Sequence, residues 1–216
     1  MTTQTWRRRQ ALETRRQIVR AARRLFVSLG YAGTTVEAIA AEAGVAIATV
    51  YKAFGTKAAI ARELNDLIDE EARVPEYTER LALATEPTQL IASAVALNLS
   101  LHEHCGDIIE ATRSGAAVDT TLAEVYAEGT RRHDAGIRSA IDTLQTAGAL
   151  RPELETSRAV GLMSTLCSYE TFAELTHRHG WTLKQCETWT IETLRDLLLK
   201  PAEAAPRRTR DARRRG

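Results

Sequence analysis

Residues 40–52 constrain this chain more than any other stretch. Ala40-Ala41-Glu42-Ala43-Gly44-Val45 runs directly into Ala46-Ile47-Ala48-Thr49-Val50-Tyr51-Lys52. Ala40 is small enough for two helices to cross closely, Gly44 permits the left-handed backbone of a sharp turn, and Val50 is spaced to pack back beneath it. This spacing predicts a helix-turn-helix. Upstream, Ile18, Ala21, Ala22, Leu25, Phe26 and Leu29 recur at helical intervals and predict a first helix over about 14–29, opened by a Thr14/Gln17 capping box and stopped at Gly30. Thr34 with Glu37 predicts a second capping box and a short helix to about Ala43, followed by a third from about Ile47 to Ala53. Such a unit serves chiefly to carry its second helix into a major groove, so double-stranded DNA is the expected partner.

Charge placement agrees with the motif without depending on it. Residues 1–63 hold 11 Lys and Arg against 4 Asp and Glu, residues 64–199 hold 11 against 22, and residues 200–216 hold 7 against 2. A basic head joined to an acidic body is expected to present only the head to a polyanion. Cys105, Cys167 and Cys186 are odd in number and widely separated, which argues against a disulfide framework and points to the reducing cytoplasm. The longest apolar stretch, residues 90–101, is interrupted by Ser93, Asn98 and Ser100, so neither a signal peptide nor a membrane span is expected.

Beyond the motif, Thr56 is placed to cap a helix over about 57–72 that ends before Pro75 and links head to body. Further helices are predicted at about 87–104, 107–114, 119–147, 155–178 and 182–199, with every Pro between helical stretches and no alternating pattern that argues for a sheet. The expected fold class is all-α. Residues 201–216 are rich in Arg and poor in apolar residues, the composition of a disordered tail.

The first quarter of the chain resembles the TetR family of bacterial repressors. The resemblance lies in Thr14-Arg15-Arg16-Gln17-Ile18-Val19-Arg20-Ala21-Ala22, Leu25-Phe26, Gly30-Tyr31, Thr34-Thr35-Val36, Ile39-Ala40, Ala43-Gly44-Val45, Thr49-Val50-Tyr51 and Phe54-Gly55-Thr56-Lys57. Beyond about residue 65 it rests on length and helical character alone. It implies a basic arm (1–13), a helix-turn-helix DNA-binding domain (14–63), a helical ligand-binding and dimerisation domain (64–200) and a basic tail (201–216). The function it implies is a homodimeric regulator, a repressor released from a palindromic operator by a small-molecule inducer.

Thr34 and Thr35 stand at a helix N-terminus, where a hydroxyl and free N–H groups can meet a phosphate, although Thr34 also suits a simple cap. By family position Tyr51 and Lys57 would clamp the DNA backbone, with Thr49 acting likewise; the alternative for Tyr51 is half-buried core. The expected base readers are Ala46, Ile47, Ala48 and Lys52. The first three suit thymine methyl groups, and Lys52 suits guanine. Ala46 departs from the Ser or Thr that often caps this helix in the family, a loss of about 0.5–2 kcal/mol. Arg7-Arg8-Arg9 would lie along a phosphate ridge, enter a minor groove, or remain a solvated terminus. The tail arginines would add non-specific attraction.

In the body, two late apolar stripes suit a dimer interface or an internal core. One carries Val160, Leu162, Met163, Leu166, Cys167, Tyr169 and Phe172, and the other carries Leu183, Cys186, Trp189, Leu194, Leu197 and Leu198. Candidate contacts to a small-molecule effector are Asn98, His102, Glu110, Arg113, Tyr126, His133 and Tyr169. His102-Glu103-His104-Cys105 raises a metal-responsive alternative, but on a helix His104 turns away from His102 and Cys105, so no metal site and no cofactor is expected. G-x-S-x-G, G-x-G-x-x-G, the phosphate-binding loop and H-E-x-x-H are all missing from the sequence, which makes an enzyme the weaker reading. A corepressor-dependent regulator and an effector-independent architectural DNA-binding protein stay as alternatives.

Overall fold

The computed structural model describes residues 3–201 and, among them, is built of helices without a strand. The head comprises α1 (Thr3–Gly33), α2 (Val36–Glu42), α3 (Ile47–Phe54) and α4 (Lys57–Arg62). The body comprises α5 (Leu64–Glu71), α6 (Val74–Leu83), α7 (Pro87–Gly115), α8 (Thr120–Thr146), α9 (Thr156–Leu166), α10 (Tyr169–Ala173), a π-helical turn (Glu174–Arg178) and α11 (Leu183–Leu198).

Several boundaries differ from the sequence expectation, each for a local reason. The first helix begins at Thr3, so Thr14 lies inside it and the Thr14/Gln17 box caps nothing. Gly30, at φ 73°, does interrupt it as expected, and Tyr31 to Gly33 form a separate last turn. Residue 35, not 34, caps α2: the Ala38 amide donates to Thr35 Oγ1 at 3.1 Å. The link over 57–72 is broken at Glu63 into α4 and α5.

An unforeseen helix, α6, follows Arg73, whose left-handed φ of 60° turns the chain. Pro75 sits in its first turn, where a missing N–H breaks no bond, so this proline lies within a helix and not between two. Pro87 likewise opens α7. That helix runs unbroken through Gly106, since one interior glycine costs only about 1 kcal/mol and Cys105 and Ile108 beside it are fully buried. The helix expected over 155–178 breaks after Leu166, where Ser168 caps α10 by accepting from the Thr171 amide at 3.1 Å.

Two apolar cores hold the molecule. One joins α7, α8, α9 and α11 around Ile91, Ile141, Met163, Phe172, Leu194 and Leu198. The other begins in the head with Ile18, Phe26, Ile39, Val50 and Ile60 and is completed from the body by Leu64 of α5, Cys105 and Ile108 of α7 and Val125 of α8. The head is therefore closed by body residues. Within the body, Asn65 holds α5 to α8, donating from its buried amide to Val125 O at 2.9 Å. Gly129 lets α8 approach, since a Cβ there would stand 3.0 Å from Asn65 Oδ1.

Because Ile108 is fully buried in that second core, Ile108→Ala is expected to destabilise the folded chain by about 2–5 kcal/mol. Urea unfolding at equilibrium, followed by circular dichroism, would show it as a lowered midpoint.

Candidate nucleic-acid interface

The turn between α2 and α3 is built by its backbone. Gly44 sits at φ 66°, its amide donates to Ala41 O at 3.1 Å, and the Val45 amide donates to Ala40 O at 3.0 Å. Ile39, Ala40 and Val50 are buried beneath it, which fixes the opposite face of α3 outward. That outer face presents Ala46, Ile47, Ala48, Tyr51 and Lys52, all exposed, with Thr49 half-buried at its edge. Ala46 is the N-cap of α3 and supplies no side-chain hydrogen bond.

The remaining predicted contacts divide. Thr35 is exposed at the N-terminus of α2, whereas Thr34 is 1% exposed and donates its hydroxyl to Gly30 O at 2.8 Å. Thr34 thus ties off the α1 kink, and its hydroxyl does not face outward. Lys57 bends back across the head. Its ammonium donates to Tyr31 O at 2.7 Å and Thr34 O at 2.8 Å, and lies 4.2 Å from the centre of the Tyr31 ring. In the DNA-free protein it staples the α1–α2 corner.

The head's excess of arginine is also not all available to DNA. Arg15 pairs with Glu63 and stacks on Phe54 at 4.0 Å, Arg16 and Arg20 reach Glu70, and Arg24 reaches Glu42. Arg23 joins Glu71, Asp107 and the His104 carbonyl, and Arg62 pairs with Glu124. Composition registered these as basic; geometry turns them toward the acidic elements beside them. Arg7, Arg8 and Arg9 remain exposed on the first turns of α1, as helix and not as an extended arm. Arg207, Arg208, Arg210 and Arg213 to Arg215 lie outside the described residues.

Residues 18–64 match the model of the bacterial regulatory proteins of the tetR family. The head is a TetR-family DNA-binding domain. No protein among the curated sequences matches the chain. Among solved structures it is similar to a TetR transcriptional regulator from Chloroflexus aurantiacus at 23% identity and a TM-score of 0.68, covering 88% of this chain and 98% of that one. It is also similar to SmeT bound to triclosan, at 22% identity and TM-score 0.70, with 90% and 95% covered. Transcriptional regulator FadR from Bacillus subtilis in complex with stearoyl-CoA aligns at 18% identity and TM-score 0.68, with 82% and 96% covered. At these identities the likeness shows the fold, a TetR-type head on a helical C-terminal domain.

The body residues predicted to meet an effector fall into three groups. His102, Glu110 and Tyr169 line one cleft of about 1120 Å³ between α1, α7, the start of α8 and α10. Asn98 and His133 pair with each other inside the body, Asn98 Oδ1 lying 3.0 Å from His133 Nδ1. Arg113 forms a two-point pair with Glu110, and Tyr126 donates to Glu170 Oε1 at 3.0 Å; neither lines the cleft. Sequence reasoning missed Asp107, Gly106 and His177, which also line it. The i, i+4 step from His102 to Gly106 was the available signal.

Among the described residues no His, Cys, Asp and Glu side chains gather to hold a metal. Cys105 turns into the core, where burial pushes its thiol up to about 12, while His104 is exposed and lies against Ser100 O. All three thiols are free and buried. No helix among the described residues is long and apolar enough to cross a membrane.

Burial, aided by neighbouring His177, lowers the His102 pKa, and burial lowers that of His133. The unfolded chain takes up these protons near pH 6.5, so the folded state binds fewer of them below that value. Stability present above about pH 6.5 is therefore expected to be lost as the pH falls through it, and a His102→Gln, His133→Gln double variant is expected to flatten that slope. Urea midpoints between about pH 7.5 and 5.5 measure both. A second prediction separates the two lysines. Lys57→Met should lower the melting temperature of the DNA-free protein, whereas Lys52→Met should leave it unchanged and weaken DNA binding; calorimetry and fluorescence anisotropy read the two effects.

Proposed function

We propose that this chain is a homodimeric transcriptional repressor that occupies a palindromic operator and leaves it when a small molecule binds the body. The observation that carries the reading is the outer face of α3, with Ala46, Ile47, Ala48, Tyr51 and Lys52 exposed together on a head whose core is completed by body residues. A change in the body then has a route to the groove-reading helix.

Each part of the interface has a role in this reading. Tyr51, Thr49 and Thr35 hold phosphates, and Arg7 to Arg9 add charge along the backbone, since such contacts set register and affinity without reading sequence. Ala46, Ile47 and Ala48 favour thymine methyl groups, and Lys52 favours guanine. Lys57 serves phosphate through its remaining N–H or by holding the α2 N-terminus in place.

The dimer rests on what the interior leaves over. Met163, Cys167, Phe172, Cys186, Leu194 and Leu198 are consumed in the body core, so the internal reading holds for much of both stripes. Leu162, Leu166 and Leu183 remain half-buried, and Leu197 is 40% exposed, on α9 and α11. A second copy would cover them and place two heads on successive major grooves. Effector release is supported by proteins of like fold solved with triclosan and with stearoyl-CoA. Whatever its identity, the effector must bind the DNA-releasing arrangement more tightly than the DNA-binding one.

Selection from a random DNA pool, followed by salt titration on the winner, tests the proposal. The expected result is a palindrome with thymine-rich half-sites about one helical turn, or a multiple of it, apart. Lys52→Ala should relax preference at one guanine by about 1–3 kcal/mol, and Tyr51→Ala should weaken all sequences alike. Enrichment of no sequence, with binding that only salt disrupts, would favour the architectural protein and overturn the repressor.

A further inference from the structure

The 1120 Å³ cleft lies against the head itself: Val27, Leu29 and Tyr31 of α1 form one wall and α7 the other. Its rim is acidic. Among the described residues lining it are four carboxylates, Glu103, Asp107, Glu110 and Asp119, and one guanidinium, Arg23; Asp107 pairs with Arg23, Glu110 pairs with Arg113 behind the lining, and Asp119 caps α8. Two exposed aliphatic side chains also line it, Leu29 at 57% and Val118 at 89% exposed. A site that combines an apolar wall with like-signed charges selects an amphipathic ligand of opposite sign.

The inner end is aromatic and holds an unsatisfied acceptor. The His102 ring lies 5.5 Å from Tyr169, 6.1 Å from Phe172 and 5.7 Å from His177, centre to centre. Thr176 donates its hydroxyl to Phe172 O at 2.7 Å, so at 3.2 Å from His102 Nε2 it acts as acceptor and places the imidazole proton on Nε2. His102 Nδ1 is then a lone pair. It is buried without a partner on a residue only 9% exposed. Burying such a group unpaired is costly, and natural sites of this kind ask for a donor. With no side chain at Gly106 the Tyr169 ring closes over this nitrogen: a Cβ there would stand 3.9 Å from His102 Nδ1 and 3.3 Å from the ring. Tyr169, half-buried, is its cover.

We propose that this cleft is the effector site and that its ligand is a protonated amine carrying an apolar body, wedged between α1 and α7. The proposal rests on the regulator reading for its consequence, not for the binding itself. The ammonium enters among the rim carboxylates, meets the faces of Tyr169 and His177, and donates an N–H to His102 Nδ1; the apolar body lies along Leu29 and Val118. Cations over aromatic faces in partly desolvated sites are bound favourably. The consequence follows from Arg23, which ties α1 to α7 through Asp107 and the His104 carbonyl. The ligand's apolar body, wedged between α1 and α7, strains that tie and frees the helix that carries the head.

The test uses the full chain and three matched probe sets, 2-phenylethyl, 4-phenylbutyl and 1-naphthylmethyl, each as the ammonium, the alcohol and the carboxylate. Isothermal titration is expected to show at least one ammonium binding about tenfold or more tighter than its alcohol and carboxylate partners, an electrostatic and donor preference of ordinary size. Gly106→Val, which crowds the Tyr169 ring over His102, and Glu103→Gln with Asp107→Asn, which remove two of the four rim carboxylates, are each expected to weaken it about tenfold, with melting curves confirming folded variants. No ammonium binding, equal binding of all three charge types, or binding indifferent to both variants would overturn the site. Operator binding is measured separately. An ammonium that binds without releasing selected DNA would overturn the regulatory consequence alone, and failure to select any DNA would count against the repressor while leaving the cleft's chemistry standing.

Discussion

The position of the DNA-binding head depends on one seam, where Cys105, Ile108 and Val125 of the body complete the core that Ile18, Phe26 and Ile60 begin. Packed interiors do not deform continuously, because even a methylene's change in volume is felt. The head therefore cannot tilt freely on a linker. To move, α1 must lose apolar contact with α7, together with the Arg23 ties to Asp107 and the His104 carbonyl. The proposed repressor needs this property, since a loosely tethered head would be indifferent to events in the body.

Charge supplements the seam and also divides labour. Arg15, Arg16, Arg20, Arg23 and Arg62 face carboxylates of the α4–α5 junction, α5, α7 and α8. Exposed pairs of this kind contribute about 0–1 kcal/mol each, so their value lies in orientation more than in stability. They also explain why an acidic body does not repel its own head. The surface proposed to meet phosphates is smaller than the composition implies and is concentrated on α3, the start of α2 and the first turns of α1.

How much of this was legible in the sequence varies with the length scale of the cause. The helix-turn-helix was readable because Ala40, Gly44 and Val50 encode it locally, and the all-α class followed from periodicity. The α1 start was missed because Thr14 looks like a cap but nothing upstream stops a helix, and helix-forming Arg7 to Arg9 continue it. The shift of the cap from Thr34 to Thr35 depends on the Gly30 kink, which draws the Thr34 hydroxyl inward. Lys57 was assigned to phosphate by family position, yet its carbonyl partners come from residues 23 and 26 positions earlier, beyond the reach of local pattern. The effector residues were chosen by polarity; only His102, Glu110 and Tyr169 share a cleft, because the facing of Asn98 and His133 toward each other is a tertiary fact.

Native-state hydrogen exchange of the intact chain tests the shared core most directly. If the head is closed by the body, amides of α1 around Ile18 to Phe26 and of α7 around Cys105 to Thr112 open with one common free energy, as members of a single cooperative unit. Head amides that exchange through a separate, lower-energy opening while α7 stays protected would contradict it.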